Sequence, residues 1–283
     1  MAITIEKAVE TGLCFGIKRA IDVLEKAAHG HRGIETLGAA VHNQQVLQRL
    51  AEIGVRITKA VDEMQGDTIA IGAHGISPQI EEEIRARHIN IIDTTCPFVH
   101  RAQAATRKLV KSGFFVIIYG DADHPEVKGV LGWADGKGAA MLDDRAIARL
   151  DPLPRRLGVL SQTTQIPADF DEFVKKLADF ARAKGCELRV IDTICPEIKR
   201  RQKAALELAA KVDLMLVIGS HTSANTNYLA QLCSEVSRTY LLETAEDIQP
   251  SWLQGQCHIG ITAGASTSEQ TINEVVTRLE ALP

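Results

Sequence analysis

The hexapeptide IDTTCP at residues 92–97 occurs a second time, with one substitution, as IDTICP at residues 191–196. Each copy has an arginine five positions after its cysteine, and so does a third cysteine, Cys14 in TGLCFGIKRA, which lacks the aspartate and the proline. The three arginines are Arg19, Arg101 and Arg200. A short sequence that recurs at wide spacing is typical of a chain built from repeated units. We therefore expect each cysteine to occupy the same place in one of three units.

Short β-branched and apolar runs alternate with amphipathic stretches, a pattern typical of parallel α/β sheets. The runs are IETLG, VRIT, TIAIGA and INIIDT in the first third, FFVIIYG, AAML, RLGVLS and LRVIDT in the second, and LMLVIGS, RTYLLE and CHIGIT in the last. The last third is one strand short, and the N-terminal run ITIEKA, which leads into Cys14, would complete it. We predict an α/β fold of three similar small domains in a pseudo-three-fold arrangement, with mostly parallel four-stranded sheets.

The repeat also predicts domain boundaries, because each unit should end at the strand that leads into a cysteine. The predicted domains are residues 14–96, residues 97–194, and residues 195–283 together with the N-terminal strand 1–13. No linker rich in proline, glycine or serine separates them. We therefore expect the domains to pack tightly about a common axis.

The composition argues against several classes of protein. The chain has 283 residues, of which 45% are hydrophobic and 24% charged, as in ordinary soluble proteins. Its longest dense apolar run, residues 114–120, is far shorter than the roughly 18 residues of a membrane span, and the N-terminus lacks the apolar core of a signal peptide. A net charge of −4 and 4% aromatic residues argue against nucleic-acid binding. We expect a cytoplasmic protein that binds neither nucleic acid nor a membrane.

Six cysteines in a reducing compartment are more typical of buried thiols, catalytic groups or metal ligands than of disulfides. Cys14, Cys96 and Cys195 each stand where a predicted strand leads directly into a predicted helix. Free N–H groups and the positive end of the helix dipole favour the thiolate there, so we predict that these three cysteines bind a metal. The others are expected to be small, mostly buried side chains: Cys186, Cys233 and Cys257.

The spacing of the three cysteines favours an iron–sulfur cluster. They are too far apart in sequence for a zinc finger or ribbon, and no CxxC occurs. Three cysteines bind three irons of a [4Fe–4S] cluster and leave the fourth iron open to a substrate oxygen. We therefore expect a central [4Fe–4S] cluster with one open iron, and zinc is the alternative.

The remaining strand ends are rich in histidine, serine, threonine and asparagine. They read VHN, AHG, DADHPEV, SQTT, SHTSAN and TAGAS. Ligands of parallel sheets bind at the carboxyl ends of strands, and helix N-termini bind anions. Since nucleotide-binding motifs are absent, we predict a central cavity for a small phosphorylated substrate. His42, His74 and His124 stand at equivalent junctions, and Glu126 is the obvious proton carrier.

Together these motifs resemble those of the 4-hydroxy-3-methylbut-2-enyl diphosphate reductase family, also called IspH or LytB. The motifs are, in chain order, GLCFGIKRAI, VHNQQV, AHGIS, DTTCPFV, HPEV, SQTT, DTIC followed by RQ at Arg201 and Gln202, SAN and TAGAS. The resemblance runs from about residue 10 to the C-terminus.

The resemblance implies an oxidoreductase for the last step of the methylerythritol phosphate pathway of isoprenoid biosynthesis. Its substrate loses a hydroxyl as water, taking up two electrons and two protons, and gives isopentenyl and dimethylallyl diphosphates. The resemblance implies a [4Fe–4S] cluster on Cys14, Cys96 and Cys195, and a ferredoxin or a flavodoxin as electron donor. The implied ligands of the diphosphate are His42, His74, His124, Ser223, Asn225 and Ser266. Glu126 would deliver protons, Thr163 would help to place the substrate hydroxyl, and His124 would also act in catalysis.

Three positions depart from the family pattern. Thr222 and Ala224 replace an asparagine and a serine in SHTSAN, and Ile198 stands where a threonine is usual. One hydrogen bond to the diphosphate is thereby lost, worth roughly 1.5 to 3 kcal/mol, and we expect activity to survive. Two other functions stay open: an iron–sulfur reductase or dehydratase of another small phosphorylated alcohol, and a non-catalytic iron–sulfur sensor, which would not need Glu126.

Overall fold

The computed structural model of the chain describes residues 3–30, 33–41, 43–150 and 152–282. They belong to two compact units. The first unit comprises Met1–Lys18, Val41–Gln48 and Pro196–Pro283, and the second comprises Arg19–Ala40 and Arg49–Cys195.

The described residues contain twelve β-strands, and each coincides with one of the twelve runs predicted from the sequence. The strands are β1 (Thr4–Lys7), β2 (Glu35–Leu37), β3 (Arg56–Thr58), β4 (Thr68–Ile71), β5 (Asn90–Asp93), β6 (Phe115–Tyr119), β7 (Gly138–Met141), β8 (Arg156–Ser161), β9 (Glu187–Ile191), β10 (Leu214–Ile218), β11 (Arg238–Leu242) and β12 (His258–Ala263).

Nine α-helices lie in the same described ranges. They are α1 (Phe15–Gly30), α2 (Gln44–Glu52), α3 (Pro78–Ala86), α4 (Pro97–Lys111), α5 (Pro125–Gly132), α6 (Pro167–Lys184), α7 (Pro196–Ala209), α8 (Ala224–Ser234) and α9 (Glu269–Glu280). Short 3₁₀ helices occupy Val61–Glu63, Asp144–Arg149, Ala245–Asp247 and Pro250–Leu253. Five α-helices begin with proline, whose fixed φ suits the first turn and whose missing N–H would have no partner there.

The strands form three parallel sheets of four strands each. The orders are β1-β12-β10-β11, β3-β2-β4-β5 and β7-β6-β8-β9. Traversed so that the strand leading to the cysteine comes first, all three sheets have the same order. The N-terminal strand β1 pairs with β12 and completes the last sheet, as predicted. The prediction of an α/β fold with three four-stranded parallel sheets is therefore confirmed.

Each sheet lies within one of the three predicted domains. Residues 14–96 contain β2 to β5, residues 97–194 contain β6 to β9, and the last predicted domain contains β10 to β12 with β1. Of the two compact units, the second contains the sheets of β2 to β5 and of β6 to β9, and the first contains the sheet of β1 and β10 to β12. The boundaries of three separate domains stay a prediction.

Alternation along β10 and β12 gives the first unit a core on each face of its sheet. On one face, strand residues such as Leu216 and Ile261 pack with Ile272, Val275 and Leu279 of α9. On the other face, Met215 and Val217 of β10 pack with residues of α7 and α8, among them Leu208, Leu229 and Cys233. All five residues of β10 are buried, as expected for a central strand of a parallel sheet.

The sheet of β6 to β9 in the second unit is covered in the same way. Val116, Ile118 and Leu160 pack with α4 and α5, and the alternate residues of the same strands pack with Phe170, Phe173 and Leu177 of α6. The sheet of β2 to β5 has a smaller core around Ile69 and Ile84. Among the helices described, none is both long and apolar enough to cross a membrane.

Gly158 of β8 tests how closely α4 packs on this sheet. A Cβ atom at Gly158 would lie 2.8 Å from Cδ1 of Leu109, whose side chain is 1% exposed and has little room to move. Gly158→Ala should therefore lower the free energy of unfolding by about 1 to 3 kcal/mol, measured by chemical denaturation. Gly30→Ala is the control, because no atom lies within 4 Å of a Cβ there. Equal stability of the two variants would contradict this packing.

Candidate active site

The three cysteines occupy equivalent places in the chain. Each lies between an edge strand of its sheet and a helix, and each donates its backbone N–H to a carbonyl just beyond the neighbouring strand. The pairs are Cys14 with Ala265 (2.8 Å), Cys96 with Ala73 (3.0 Å) and Cys195 with Thr163 (2.9 Å). The parallel pairing of the strands thus continues past their ends and fixes the backbone of each cysteine.

The repeated hexapeptide has the same structural role in both copies. Its aspartate accepts the backbone N–H two residues later, in Asp93 to Thr95 (2.9 Å) and Asp192 to Ile194 (3.0 Å). The threonine after the aspartate donates its hydroxyl to the carbonyl of the last residue of the neighbouring strand. Thr94 donates to Ile71 at 2.5 Å, and Thr193 donates to Ser161. These bonds turn the chain from strand to cysteine, which explains why the sequence occurs twice.

The three arginines that follow the cysteines by five positions do not have equivalent roles. Arg19 donates to the carbonyl of Thr95 at 3.2 Å, Arg200 forms an ion pair with Glu10 at 3.3 Å, and Arg101 is exposed. Their equal spacing therefore does not reflect a shared contact. It was a regularity of the sequence without a structural counterpart.

The thiol of Cys14 is half-buried, and its sulfur accepts the N–H of Ile17 at 3.5 Å. Burial raises the pKa of the Cys14 thiol above its ordinary value, although the Ile17 N–H and the charge of Arg201 oppose the rise. The N–H of Ile17, at the start of the helix, thus lowers the pKa of the Cys14 thiol, as expected from a helix N-terminus. In the metal-free protein, however, desolvation is the larger effect.

None of the six cysteines, all of which lie in the described ranges, forms a disulfide. Cys233 is fully buried in the core of the first unit, and burial raises its pKa to about 12. Cys186 is half-buried and Cys257 is exposed, so the expectation of a buried side chain is wrong for Cys257. Cys257 immediately precedes the first residue of β12.

In the second unit, Glu126 and Thr163 form a buried pair. Glu126 is the second residue of α5 and is 3% exposed. Its Oε1 accepts the backbone N–H of Thr163 at 2.6 Å, and its Oε2 accepts the hydroxyl of Thr163 at 2.7 Å. Burial raises the pKa of the Glu126 carboxyl, and the two bonds from Thr163 only partly offset that rise. The protonated form is therefore favoured more than in an ordinary glutamate.

Two of the predicted histidines lie close together in the same unit. His124 caps the N-terminus of α5, where its Nδ1 accepts the N–H of Glu126 at 3.2 Å. The ring of His74 lies edge to face with it, with centroids 5.5 Å apart. The third predicted histidine, His42, lies outside the described residues.

These contacts connect most of the predicted residues of the second unit. The backbone of Cys96 is bonded to Ala73, which precedes His74; His74 contacts His124. His124 is bonded to Glu126, Glu126 to Thr163, and Thr163 to Cys195. Two cysteines, two imidazoles and a carboxyl group are thus brought together from five separate loops.

In the first unit, the predicted residues Ser223, Asn225 and Ser266 are all buried, at 5%, 4% and 6% exposed. Ser223 caps α8 and accepts the N–H of Thr226 at 3.4 Å. Both polar side-chain atoms of Asn225 are buried without a hydrogen-bond partner. Such a group is costly to bury unless a ligand pairs with it, so Asn225 supports a polar ligand at the start of α8.

The three positions that depart from the family pattern differ in exposure. Thr222 is exposed, with its hydroxyl 3.0 Å from that of Ser220. Ala224 is half-buried at the first residue of α8 and offers no polar atom beyond its backbone. Ile198 is buried on the inner face of α7 at 4% exposed.

Arg201 has no role in the sequence prediction beyond its place in the RQ motif, yet it is 3% exposed and lies near Cys14. A sequence signal for it exists. The apolar face of α7 includes Ile198 and Ala205, and Arg201 falls at helical spacing between them. A charged residue on a buried face requires a polar reason.

No group of three or more His, Cys, Asp or Glu side chains within the described part of the chain is arranged to hold a single metal ion.

The chain matches one protein family over nearly its whole length. The family described as LytB protein matches residues 5–280. A protein of Dehalococcoides mccartyi named 4-hydroxy-3-methylbut-2-enyl diphosphate reductase is 54% identical over 278 residues, 98% of this chain and 98% of the relative. A protein of Geobacter metallireducens with the same name is 40% identical over 276 residues, 97% of this chain and 96% of the relative.

Two solved structures are also similar. A structure of (E)-4-hydroxy-3-methyl-but-2-enyl diphosphate reductase, the terminal enzyme of the non-mevalonate pathway, is 37% identical, with a TM-score of 0.71, and covers 98% of this chain and 99% of that one. The E-1-hydroxy-2-methyl-but-2-enyl-4-diphosphate reductase from Plasmodium falciparum is 27% identical, with a TM-score of 0.93, and covers 100% of this chain and 90% of that one.

The buried carboxyl of Glu126 should make stability depend on pH. Because its pKa is raised on folding, its contribution to stability is fully present below the unfolded value of 4.5 and is lost as pH rises through the folded pKa. Glu126→Gln keeps the shape and remains neutral. Between pH 4.5 and the folded pKa of Glu126, the unfolding free energy of Glu126→Gln relative to that of the parent should therefore rise by up to about 1.4 kcal/mol per pH unit.

Chemical denaturation of both proteins between pH 5 and pH 8 measures this difference. Glu172→Gln is the control, because hydrogen bonding by Lys176 lowers the pKa of that exposed carboxylate and its removal should have a small effect of opposite sign. A constant difference between Glu126→Gln and the parent at every pH would show that Glu126 is not perturbed by folding.

Proposed function

Because this chain belongs to the LytB family, we propose that it reduces (E)-4-hydroxy-3-methylbut-2-enyl diphosphate to isopentenyl and dimethylallyl diphosphates. Relatives with that name match it over almost their entire length. The observation that carries the proposal in this chain is the buried pair of Glu126 and Thr163, in which burial raises the pKa of the Glu126 carboxyl and the carbonyl of Thr163 accepts the backbone N–H of Cys195.

The reaction breaks the bond between C4 of the substrate and its hydroxyl oxygen. The hydroxyl takes one proton and leaves as water, two electrons from an external donor enter the allylic carbon skeleton, and a second proton adds to carbon at either end of the allylic system. The two positions of that addition give the two products. The protein therefore has to bind the diphosphate, protonate a leaving hydroxyl and exclude other water.

A [4Fe–4S] cluster suits the cysteines of this chain. Cys14, Cys96 and Cys195 stand in equivalent places at the starts of helices and form no disulfide, and thiolates are the usual ligands of such clusters. We assign these three as its ligands, which leaves one iron without a protein ligand. Such a group supplies electron transfer and a Lewis-acidic site for the substrate oxygen.

Glu126 is the proposed proton donor. Its raised pKa favours the protonated carboxyl, and general acid catalysis needs a group that holds a proton near neutral pH. The hydroxyl of Thr163 donates to Oε2 of Glu126 at 2.7 Å and so orients that carboxyl. Its oxygen would accept a hydrogen bond from the substrate hydroxyl. His124 fixes the backbone of Glu126 and is assigned to both catalysis and binding.

The diphosphate is assigned to the polar side chains that the family motifs indicate. Ser223, Asn225 and Ser266 are buried side chains at helix starts or strand ends, and the imidazole rings of His74 and His124 contact each other. Buried amides and hydroxyls beside helix N-termini favour anions. We also retain His42 in this group, from its motif alone.

The remaining assignments concern the setting of the reaction. We propose a ferredoxin or a flavodoxin as the electron donor, because two low-potential electrons are needed. We propose that the protein acts in the cytoplasm, on a small diphosphate, without binding nucleic acid or a membrane.

Anaerobic turnover is the direct test. The protein, reconstituted with iron and sulfide and supplied with a dithionite-reduced viologen, should convert the allylic diphosphate to both products. Glu126→Gln should lower the rate by roughly a hundredfold or more, because the proton donor is lost, with little change in KM. Glu172→Gln, an exposed glutamate of α6, should keep the parent rate.

Failure to turn over the substrate by a protein with an intact cluster spectrum would indicate a different phosphorylated alcohol as the substrate. Full activity of Glu126→Gln would remove Glu126 from the mechanism. Both results are read by separating the substrate from the two products in the reaction mixture.

Ala224→Ser should strengthen binding of the diphosphate. A serine at the first residue of α8 adds a hydroxyl beside Ser223 and Asn225. A hydrogen bond to a charged group is worth roughly 1.5 to 3 kcal/mol, so KM should fall about ten- to a hundredfold with kcat little changed. Ala230→Ser, further along the same helix, is the control and should leave KM unchanged. An unchanged KM for Ala224→Ser would place the diphosphate away from the start of α8.

A further inference from the structure

Arg201 is a buried cation that the proposed reaction does not use. Its side chain is 3% exposed on the inner face of α7, where Ile198 and Ala205 lie at helical spacing on either side of it. Its Nη1 donates to the carbonyl of Ala263 at 2.9 Å, and its Nη2 donates to the carbonyl of Gly12 at 2.8 Å. A guanidinium in this position is retained only where its charge or its geometry is needed.

The two carbonyls bonded by Arg201 flank the segment that positions Cys14. Gly12 is two residues before Cys14, and Ala263 is two residues before Ala265, whose carbonyl accepts the Cys14 N–H at 2.8 Å. Arg201 therefore joins the same two stretches of chain that the Cys14 hydrogen bond joins. Gly12 has a left-handed backbone with φ of 77°, which suits glycine and directs its carbonyl to Arg201.

In the ranges described no carboxylate forms an ion pair with Arg201, and its Nε is buried without a hydrogen-bond partner. The negative charges of Glu10, Glu197 and Glu269 act on Arg201 without forming an ion pair with it. A buried cation whose counter-ions are not in contact with it is further stabilised by an anion that binds nearby.

An anionic group at Cys14 would supply a further counter-charge. Nη2 of Arg201 donates to the carbonyl of Gly12 at 2.8 Å, two residues before Cys14, so the guanidinium lies beside the Cys14 segment. A [4Fe–4S] cluster held by three thiolates carries a net negative charge, which grows by one on one-electron reduction. A fixed cation beside it stabilises the reduced form more than the oxidised form.

We infer that Arg201 is a positioning residue that clamps the Cys14 segment and serves as the buried counter-charge of the cluster, raising its reduction potential. This inference rests on the proposed function, because it requires a cluster on Cys14. It adds a role for a residue outside the cysteines, the proton donor and the diphosphate ligands.

The test compares Arg201→Gln, Arg201→Lys and Arg200→Gln in anaerobically reconstituted protein. Arg201→Gln removes the charge, Arg201→Lys keeps it but loses the two-carbonyl clamp, and Arg200→Gln changes the adjacent exposed arginine. A redox titration followed by electron paramagnetic resonance gives the reduction potential. Iron content after desalting gives cluster retention, and chemical denaturation gives the stability of the metal-free proteins.

The expected result separates charge from structure. At a fixed potential, Arg201→Gln should lower the ratio of reduced to oxidised cluster at least tenfold, a shift of about 59 mV for one electron. Arg201→Lys should stay near the parent value, although both variants lose similar stability as metal-free proteins. If Arg201→Gln binds too little iron to titrate, retention by Arg201→Lys supports the same role. Arg200→Gln should match the parent in every measurement.

The inference would be overturned if the reduction potential of Arg201→Gln equalled that of the parent while Arg201→Lys and Arg201→Gln lost the same stability. Arg201 would then be a purely structural clamp. Parent protein that takes up no iron would overturn the proposed function and this inference together. The two failures are therefore distinguishable by the iron content of the parent.

Discussion

The hydrogen bond from the backbone of each cysteine to a carbonyl beyond the neighbouring strand is the interaction on which the rest of the candidate site depends. It extends the parallel pairing of β1 with β12, β5 with β4 and β9 with β8 by a few residues past the sheet. In each case the accepting residue is, or directly precedes, a predicted substrate-binding or catalytic residue: Ser266, His74 and Thr163. In all three cases one backbone contact thus fixes a cysteine against the loop that carries a predicted site residue.

The second unit shows how this arrangement joins stability and chemistry in one residue. Thr163 gives its N–H and hydroxyl to Glu126 and its carbonyl to Cys195. The carboxyl of Glu126 is thereby satisfied although it is buried, which limits the free energy needed to keep it out of water. An apolar side chain would suffice for a stable core, so the buried carboxyl supports the proposed role of Glu126 in proton transfer.

Much of the fold could be predicted because parallel strands buried on both faces appear in sequence as short apolar runs. All twelve runs became strands, and the completion of the last sheet by β1 followed from counting strands per cysteine. The family motifs indicated the residues of the site, but the pairing of Glu126 with Thr163 joins residues from different loops and is visible only in three dimensions.

Other features escaped the sequence because they depend on tertiary surroundings. The equal spacing of Arg19, Arg101 and Arg200 from the three cysteines is a regularity of the sequence that no shared contact accompanies. The pKa of the Cys14 thiol depends on the balance between desolvation, which raises it, and the N–H groups of the helix N-terminus, which lower it, and local sequence does not determine that balance. Arg201 was noticed as part of a motif, whereas its burial against two carbonyls required the packed helix α7.

The pairing of β1 with β12 has a consequence for the order in which the protein matures during synthesis. Cys14 is translated long before its hydrogen-bond partner Ala265. Domains fold progressively as the chain emerges from the ribosome, so the backbone contacts of Cys96 and Cys195 can form before Ala265 has been made. The backbone contact of Cys14 can form only after Ala265 has been made, so the first of the three cysteines in the chain is the last to reach its place.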